Sequence, residues 1–142
     1  MTADDLLRCE LACTRLCNDF VWTVDNSRYA DFVSLFVPEG VFVRAGQAFR
    51  GHAALRAFLD ARPTGRITRH ACSNIRIDMT GPDSATGTCC AIMFHAPAGD
   101  DPVAALTAAL PVVVDYLDRF VRTDAGWRFI EREAVVVFQP AA

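Results

Sequence analysis

Apolar positions near the start of the chain recur every three or four residues. Leu6, Cys9, Cys13, Leu16, Cys17, Phe20 and Val24 fall on one face of a predicted helix. Thr2 followed by Asp5 supplies an N-cap pair for that helix. The period breaks at Asp25-Asn26-Ser27, where a new cap begins. Tyr29, Phe32, Val33 and Phe36 then predict a short second helix ending near Pro38-Glu39-Gly40. Val41-Phe42-Val43 and Ala48-Phe49 read as strand on either side of a turn at Gly46. Gly51-His52 opens a third helix carrying Leu55, Phe58 and Leu59, and Pro63 closes it.

After Pro63 the apolar period changes from that of a helix to that of a strand. Ile67 to Met79 predicts one long strand, and Gly81-Pro82-Asp83 turns it into a partner running from Ser84 to Pro97. Ala98 to Leu110 carries no period that separates loop, short helix and strand. Val112 to Thr123 and Trp127 to Phe138 form a further pair around Asp124-Ala125-Gly126. Helices first and antiparallel strands afterwards make an α+β chain, read as one domain over residues 1–142. Three helices laid across the concave side of a strongly curved antiparallel sheet cannot fill it. The expectation is a cone with a pocket lined by alternate strand residues.

Composition narrows the function classes. Hydrophobic residues make up 52% and charged residues 22%, which excludes a disordered chain. No uncharged apolar run is long enough to suggest a membrane-spanning helix. The formal net charge is −3, lysine is absent and the arginines are scattered, so no basic footprint for nucleic acid exists. The opening Met1-Thr2-Ala3-Asp4-Asp5 is acidic where a secretion signal is basic, and the expectation is a cytoplasmic protein. The six cysteines show no CxxC pair, and helical neighbours four apart make poor disulfides. They are expected as small reduced thiols in the core, with no metal site.

Candidate chemistry gathers around three residues. Asp25 sits at the end of the first helical stripe, where its carboxylate can overhang the pocket. His70 lies early in the first long strand and His95 late in the second, so a simple hairpin sets them roughly opposite each other. Cys72 shares strand parity with His70 and becomes a candidate for the pocket wall, as do Tyr116 and Trp22. His52, just after Gly51, reads as an exposed helix-start residue. Parity also places Thr68, His70, Cys72, Asn74, Arg76 and Asp78 in one polar row that cannot all be buried. Either a bulge flips the register, or the strand leaves the cone near Asn74.

Several segments together resemble a known family. They are Val24-Asp25-Asn26-Ser27-Arg28-Tyr29, Leu35 to Phe42, Arg50-Gly51-His52, Arg69 to Ile75 and Gly126-Trp127-Arg128-Phe129. They resemble NTF2-like proteins of the SnoaL-like group, in particular the scytalone dehydratase and hexachlorocyclohexane dehydrochlorinase branch. The resemblance implies a cystatin-like cone. It also implies that Asp25 and His70 match the family's acid/base pair and that His95 matches the second histidine of the scytalone dehydratase branch. The chain departs from that branch at Val24, where a tyrosine is usual, and it has no match for the branch's later serine and asparagine contacts. Scytalone itself is therefore not the expected substrate.

The residue types suit β-elimination or proton transfer. An unperturbed imidazole titrates at about pH 6.5, so a histidine in His70's place can take a proton at neutral pH. A buried Asp25 accepting from one ring nitrogen would fix the tautomer and stabilise the imidazolium, and His95 or the Tyr116 phenol would donate to the departing group. No cofactor is needed. The first reading is a dehydratase, dehydrohalogenase or isomerase acting on a hydrophobic molecule, with Phe20, Trp22, Phe58, Met93 and Phe94 as apolar surroundings. A non-catalytic binding domain and a dimeric interaction domain are the alternatives. A homo-oligomer, dimer or trimer, is expected from an exposed apolar face at Ile75, Ile77 and Met79.

Overall fold

A computed structural model describes residues 1–105 and 111–141. Helix α1 (Ala3–Asp25) opens on the expected capping box, with the Thr2 hydroxyl accepting from the Asp5 backbone and the Asp5 carboxylate accepting from the Thr2 backbone. Its buried face is Cys9, Cys13, Leu16, Cys17, Phe20, Val21 and Val24. Leu6, expected on that stripe, is exposed. Ser27, at φ +54°, ends the helix in the left-handed region.

The second helix, α2, is shorter than expected (Tyr29–Ser34). Phe36 belongs instead to strand β1 (Phe36–Arg44), which runs through Pro38. A register irregularity between Phe36 and Val41 accommodates the proline, because a residue without an N–H fits a strand only where pairing lapses. Strand β2 (Gln47–Arg50) follows a turn with Ala45 and Gly46 both at positive φ, and α3 spans His52–Asp60. Four strands complete the chain: β3 (Arg66–Gly81), β4 (Ser84–Pro97), β5 (Val112–Thr123) and β6 (Gly126–Phe138). Between β4 and β5, residues 98–105 form neither helix nor strand, and 106–110 lie outside the described residues.

The six strands form one curved, unclosed sheet in the order β2-β1-β6-β5-β4-β3. All pairings are antiparallel except β1 with β6, a pair distant in sequence and so not bound to the sense that a hairpin imposes. The helices cover the concave face. There Phe20 contacts Phe32, Phe36, Phe42, Tyr116 and Phe129 at centroid distances of 4.6–6.3 Å. Each fully buried phenylalanine contributes about 1.5–3 kcal/mol relative to leaving it in water. This aromatic cluster fills the middle of the cone.

The bulge expected near Asn74 is present and decides what β3 presents to the core. Asn74 adopts φ +53°, and the β3–β4 register shifts between Ser73 and Arg76. An extra residue reverses the side-chain alternation. Before the bulge, Thr68, His70 and Cys72 face α1; after it, Ile75, Ile77 and Met79 pack against the core cluster. The exposed apolar face expected at those three residues is therefore not exposed. Asparagine tolerates the left-handed region and β-branched residues do not. Asn74→Val should cost about 1–2 kcal/mol in urea unfolding while Asn74→Gly stays near wild type; equal losses would dissociate the bulge from that conformation.

Candidate active site

Asp25 is the last residue of α1, and its carboxylate reaches β3. Its Oδ1 accepts from the Thr68 hydroxyl at 2.9 Å and lies 2.6 Å from His70 Nδ1. Its Oδ2 accepts from the His70 backbone N–H at 2.8 Å. The two side chains are 6% and 11% exposed. With Nδ1–H donating to a carboxylate, a neutral ring carries its lone pair on Nε2, and among the described residues Nε2 makes no hydrogen bond. Burial alone would push the Asp25 carboxyl up, but the hydrogen bonds from His70 and Thr68 outweigh it and hold the group below its ordinary value of 3.8.

That direction fixes a stability prediction. A carboxyl whose pKa is lower in the folded state stabilises the fold above its unfolded value, and the contribution disappears as pH falls through the folded value. The unfolding free energy should therefore drop on acidification below about pH 4, and the difference between wild type and Asp25→Asn should shrink over the same range. Urea titrations at stepped pH measure it. A difference that is constant with pH would mean that the carboxylate's charge is not what stabilises this corner.

Arg62 braces the arrangement from behind. Its guanidinium donates to the Val24 carbonyl at 3.3 Å, to the Tyr29 hydroxyl at 3.0 Å and to the Thr68 hydroxyl at 3.4 Å. A cation therefore meets the carbonyl end of α1 and ties it to the strand bearing His70. Thr68 had a signal in the sequence, its parity with His70. Arg62 had none, because it belongs to the loop after α3.

Beside His70 lies an open groove of about 710 Å³. Val21, Trp22 and Asp25 form one wall and His70 and Cys72 the other. Arg15, Asn18, Asp19, Asn26 and Arg69 give its mouth a polar character, and Arg15 pairs with Asp19 at 2.9 Å. Trp22 is 52% exposed, an apolar surface offered to whatever enters.

Residues 5–133 match the SnoaL-like domain family. The chain belongs to this family. No curated protein matches the sequence. Among solved structures, a candidate scytalone dehydratase from Novosphingobium aromaticivorans superposes with TM-score 0.82 at 21% identity, covering 99% of this chain and 92% of that one. An NTF2-like protein with a cystatin-like fold from the same organism gives 0.75 at 22%, covering 96% and 86%. A hexachlorocyclohexane dehydrochlorinase, LinA-type3 from Novosphingobium barchaimii, gives 0.81 at 15%, covering 98% and 93%. At such identities the likeness establishes the NTF2-like, cystatin-like fold. Among the described residues, no helix of this SnoaL-like chain is long and apolar enough to cross a membrane.

Two of the expected site residues stand elsewhere in this member of the family. His95 is exposed and does not line the groove. Counted back from the Gly81–Ser84 pair without interruption, His70 would oppose His95. Register shifts beside Gly81 and at Asn74 set Met93 opposite His70, and Thr68 opposite His95. Tyr116 is 5% exposed inside the aromatic core, with the Arg132 guanidinium 4.0 Å from its ring centroid. Burial pushes its phenol up to about 12, and it is not among the groove residues. The greasy surroundings also differ. Phe20 belongs to the core, and Phe58 packs on Phe42 and Phe49, so Trp22 is the expected aromatic that lines the groove. His52 is half-buried rather than exposed, 2.9 Å from the Phe36 carbonyl, a structural contact.

Beneath the groove lies a buried ion pair that the sequence reading did not contain. Arg132 Nε and Nη2 donate to Asp118 Oδ1 and Oδ2 at 2.7 and 2.9 Å, with both side chains fully buried. Burial disfavours both charges. For Arg132 the facing carboxylate outweighs that cost and pushes the guanidinium up; for Asp118 burial prevails and pushes the carboxyl up despite the arginine. Asp118 and Arg132 face each other across β5–β6 only because the register shifts between Arg119 and Phe120; counted back from the Thr123–Gly126 pair, Asp118 would oppose Glu131.

Proposed function

We propose that this SnoaL-like protein is a cofactor-independent lyase or isomerase in which His70 moves a proton and Asp25 orients the ring. The observation that carries the reading is the 2.6 Å Asp25–His70 contact beside an open groove, with Nε2 left unbonded among the described residues. A base needs a fixed ring, a basic nitrogen toward the substrate and a group that stabilises the imidazolium once the proton arrives. In an elimination, Nε2 takes a proton from carbon, the electron pair forms the double bond, and the leaving group departs to solvent or to a donor at the mouth. In an isomerisation the same proton returns to another carbon. The mixed lining suits a molecule with an apolar body, against Trp22, Val21 and Cys72, that carries a polar group toward Arg69 and Asn18.

Incubation in deuterated water with a panel of cyclic ketones, β-hydroxy ketones and halocycloalkanes tests the proposal. Deuterium incorporation or elimination in at least one class, lost in His70→Ala, supports it. The position of His95 favours a second reading, a binding domain, because among the described residues His70 is the one imidazole lining the groove. Compounds that bind stoichiometrically with neither exchange nor elimination would establish that reading and end the first.

A further inference from the structure

The cysteine spacing contains no metal motif, but the fold gathers ligands from separate elements around the Arg132–Asp118 pair. Cys17 comes from α1, Cys72 from β3, Cys89 from β4 and Asp118 from β5. The sulfurs of Cys17 and Cys89 and a carboxylate oxygen of Asp118 lie within 4.8 Å of one another, and all three residues are buried. Cys17 Sγ is 3.6 Å from Asp118 Oδ2, and Arg132 Nη2 is 3.1 Å from Cys89 Sγ. Cys72, which lines the groove, pairs with Ala91 across β3–β4, two residues from Cys89 on the same face.

We propose that Cys17, Cys89 and Asp118 form a binding site for a thiophilic divalent cation such as zinc, with the fourth coordination position open on the groove side, toward Cys72. Ligand atoms around a tetrahedral zinc lie roughly 3.5–4 Å apart, so the three need only contract slightly around an ion. Two thiolates select zinc or cadmium over magnesium or calcium, which prefer all-oxygen shells. The charge also balances. A divalent ion with two thiolates and one carboxylate carries a net single negative charge, and Arg132, fixed beside both Cys89 and Asp118, carries the compensating positive one. On binding, the Cys17 and Cys89 thiols each release a proton to solvent and their sulfurs bond the ion. Asp118 keeps its Oδ1 bond to Arg132 Nε and gives up the Oδ2 bond to Nη2 in exchange for the ion. Cys72 provides the way in, since the three ligands are sealed from water. Two buried thiols beside one charge pair thus acquire a common partner, where otherwise Cys17 contacts Asp118 and Cys89 contacts Arg132.

The test uses the full chain, reduced and freed of metal by chelator, titrated with cadmium. One equivalent should produce the ultraviolet sulfur-to-cadmium charge-transfer band and release protons, and zinc should displace the cadmium. The band should vanish in Cys89→Ala and in Cys17→Ala and persist in Cys9→Ala, Cys13→Ala and Cys90→Ala, with folding followed by circular dichroism. If the Cys17 or Cys89 variants fail to fold, alkylation of wild type at sub-denaturing urea decides: bound zinc should slow modification of Cys17 and Cys89 relative to the metal-free protein and leave Cys90 reactive. Absence of a band in wild type, a band that survives Cys89→Ala, or protection confined to Cys90 would overturn the site.

Discussion

Arg132→Met should lower the unfolding free energy by about 3–5 kcal/mol, the loss expected when one partner of a buried ion pair is removed. The guanidinium has no access to solvent, and it is stacked among Phe20, Tyr116 and Phe129 with its carbon 4.0–4.7 Å from their ring centroids. Removing its charge strands Asp118 in the same apolar surroundings, where the Cys17 thiol is the remaining donor. A carboxylate left in that position resists ionisation, so its folded pKa rises further above the ordinary 3.8. Its destabilising effect therefore grows as pH rises above the unfolded value, and the variant's deficit should narrow toward acid. The double substitution Arg132→Met with Asp118→Leu removes both charges and should recover most of the loss, because an apolar pair of similar volume is often as stable as a buried ion pair. Urea unfolding of the four proteins across pH measures the coupling. Additive losses would mean that the pair does not act as a unit.

The second large effect concerns turnover. Against any substrate found in the deuterium screen, His70→Ala should lower kcat by roughly 10²–10⁴, the usual contribution of a positioned general base. Asp25→Asn should lose a comparable factor although the base itself remains. An amide at that position offers one oxygen in place of two, and it faces the Thr68 hydroxyl, the His70 N–H and the Nδ1 proton with fewer acceptors. The ring then loses its fixed tautomer. Since both residues act through one proton transfer, the double variant should be scarcely worse than the worse single one. Losses that multiply would show that Asp25 contributes by some route other than orienting His70.

How legible the molecule was depended on the range of the interaction that fixes each feature. The capping box at Thr2 and Asp5, the buried stripe of α1 from Cys9 onward and the hairpin turn at Pro82-Asp83 rest on contacts within a few residues, and each stands where its local pattern placed it. Phe36 did not, because its helical spacing was outweighed by pairing with Phe129, a strand more than ninety residues away. Asp25 and His70 were legible from the end of an apolar period and from strand parity, together with the family resemblance. Thr68 was visible in the same parity, while Arg62 and the Arg132–Asp118 pair depend on contacts that no local period records.

The sequence by itself determined the α+β order, the three helices, the long strands and the two residues that meet at the groove, because apolar periodicity and turn chemistry are local properties of the chain. Only the tertiary structure decided which side chains share the site. A single left-handed residue, Asn74, together with the shift beside Gly81, moved the β3–β4 register. That set His95 opposite Thr68, outside the groove, and turned Ile75, Ile77 and Met79 inward. Side chains alternate every residue along a strand, so a slip too small to disturb the pattern of elements exchanges every neighbour across the sheet.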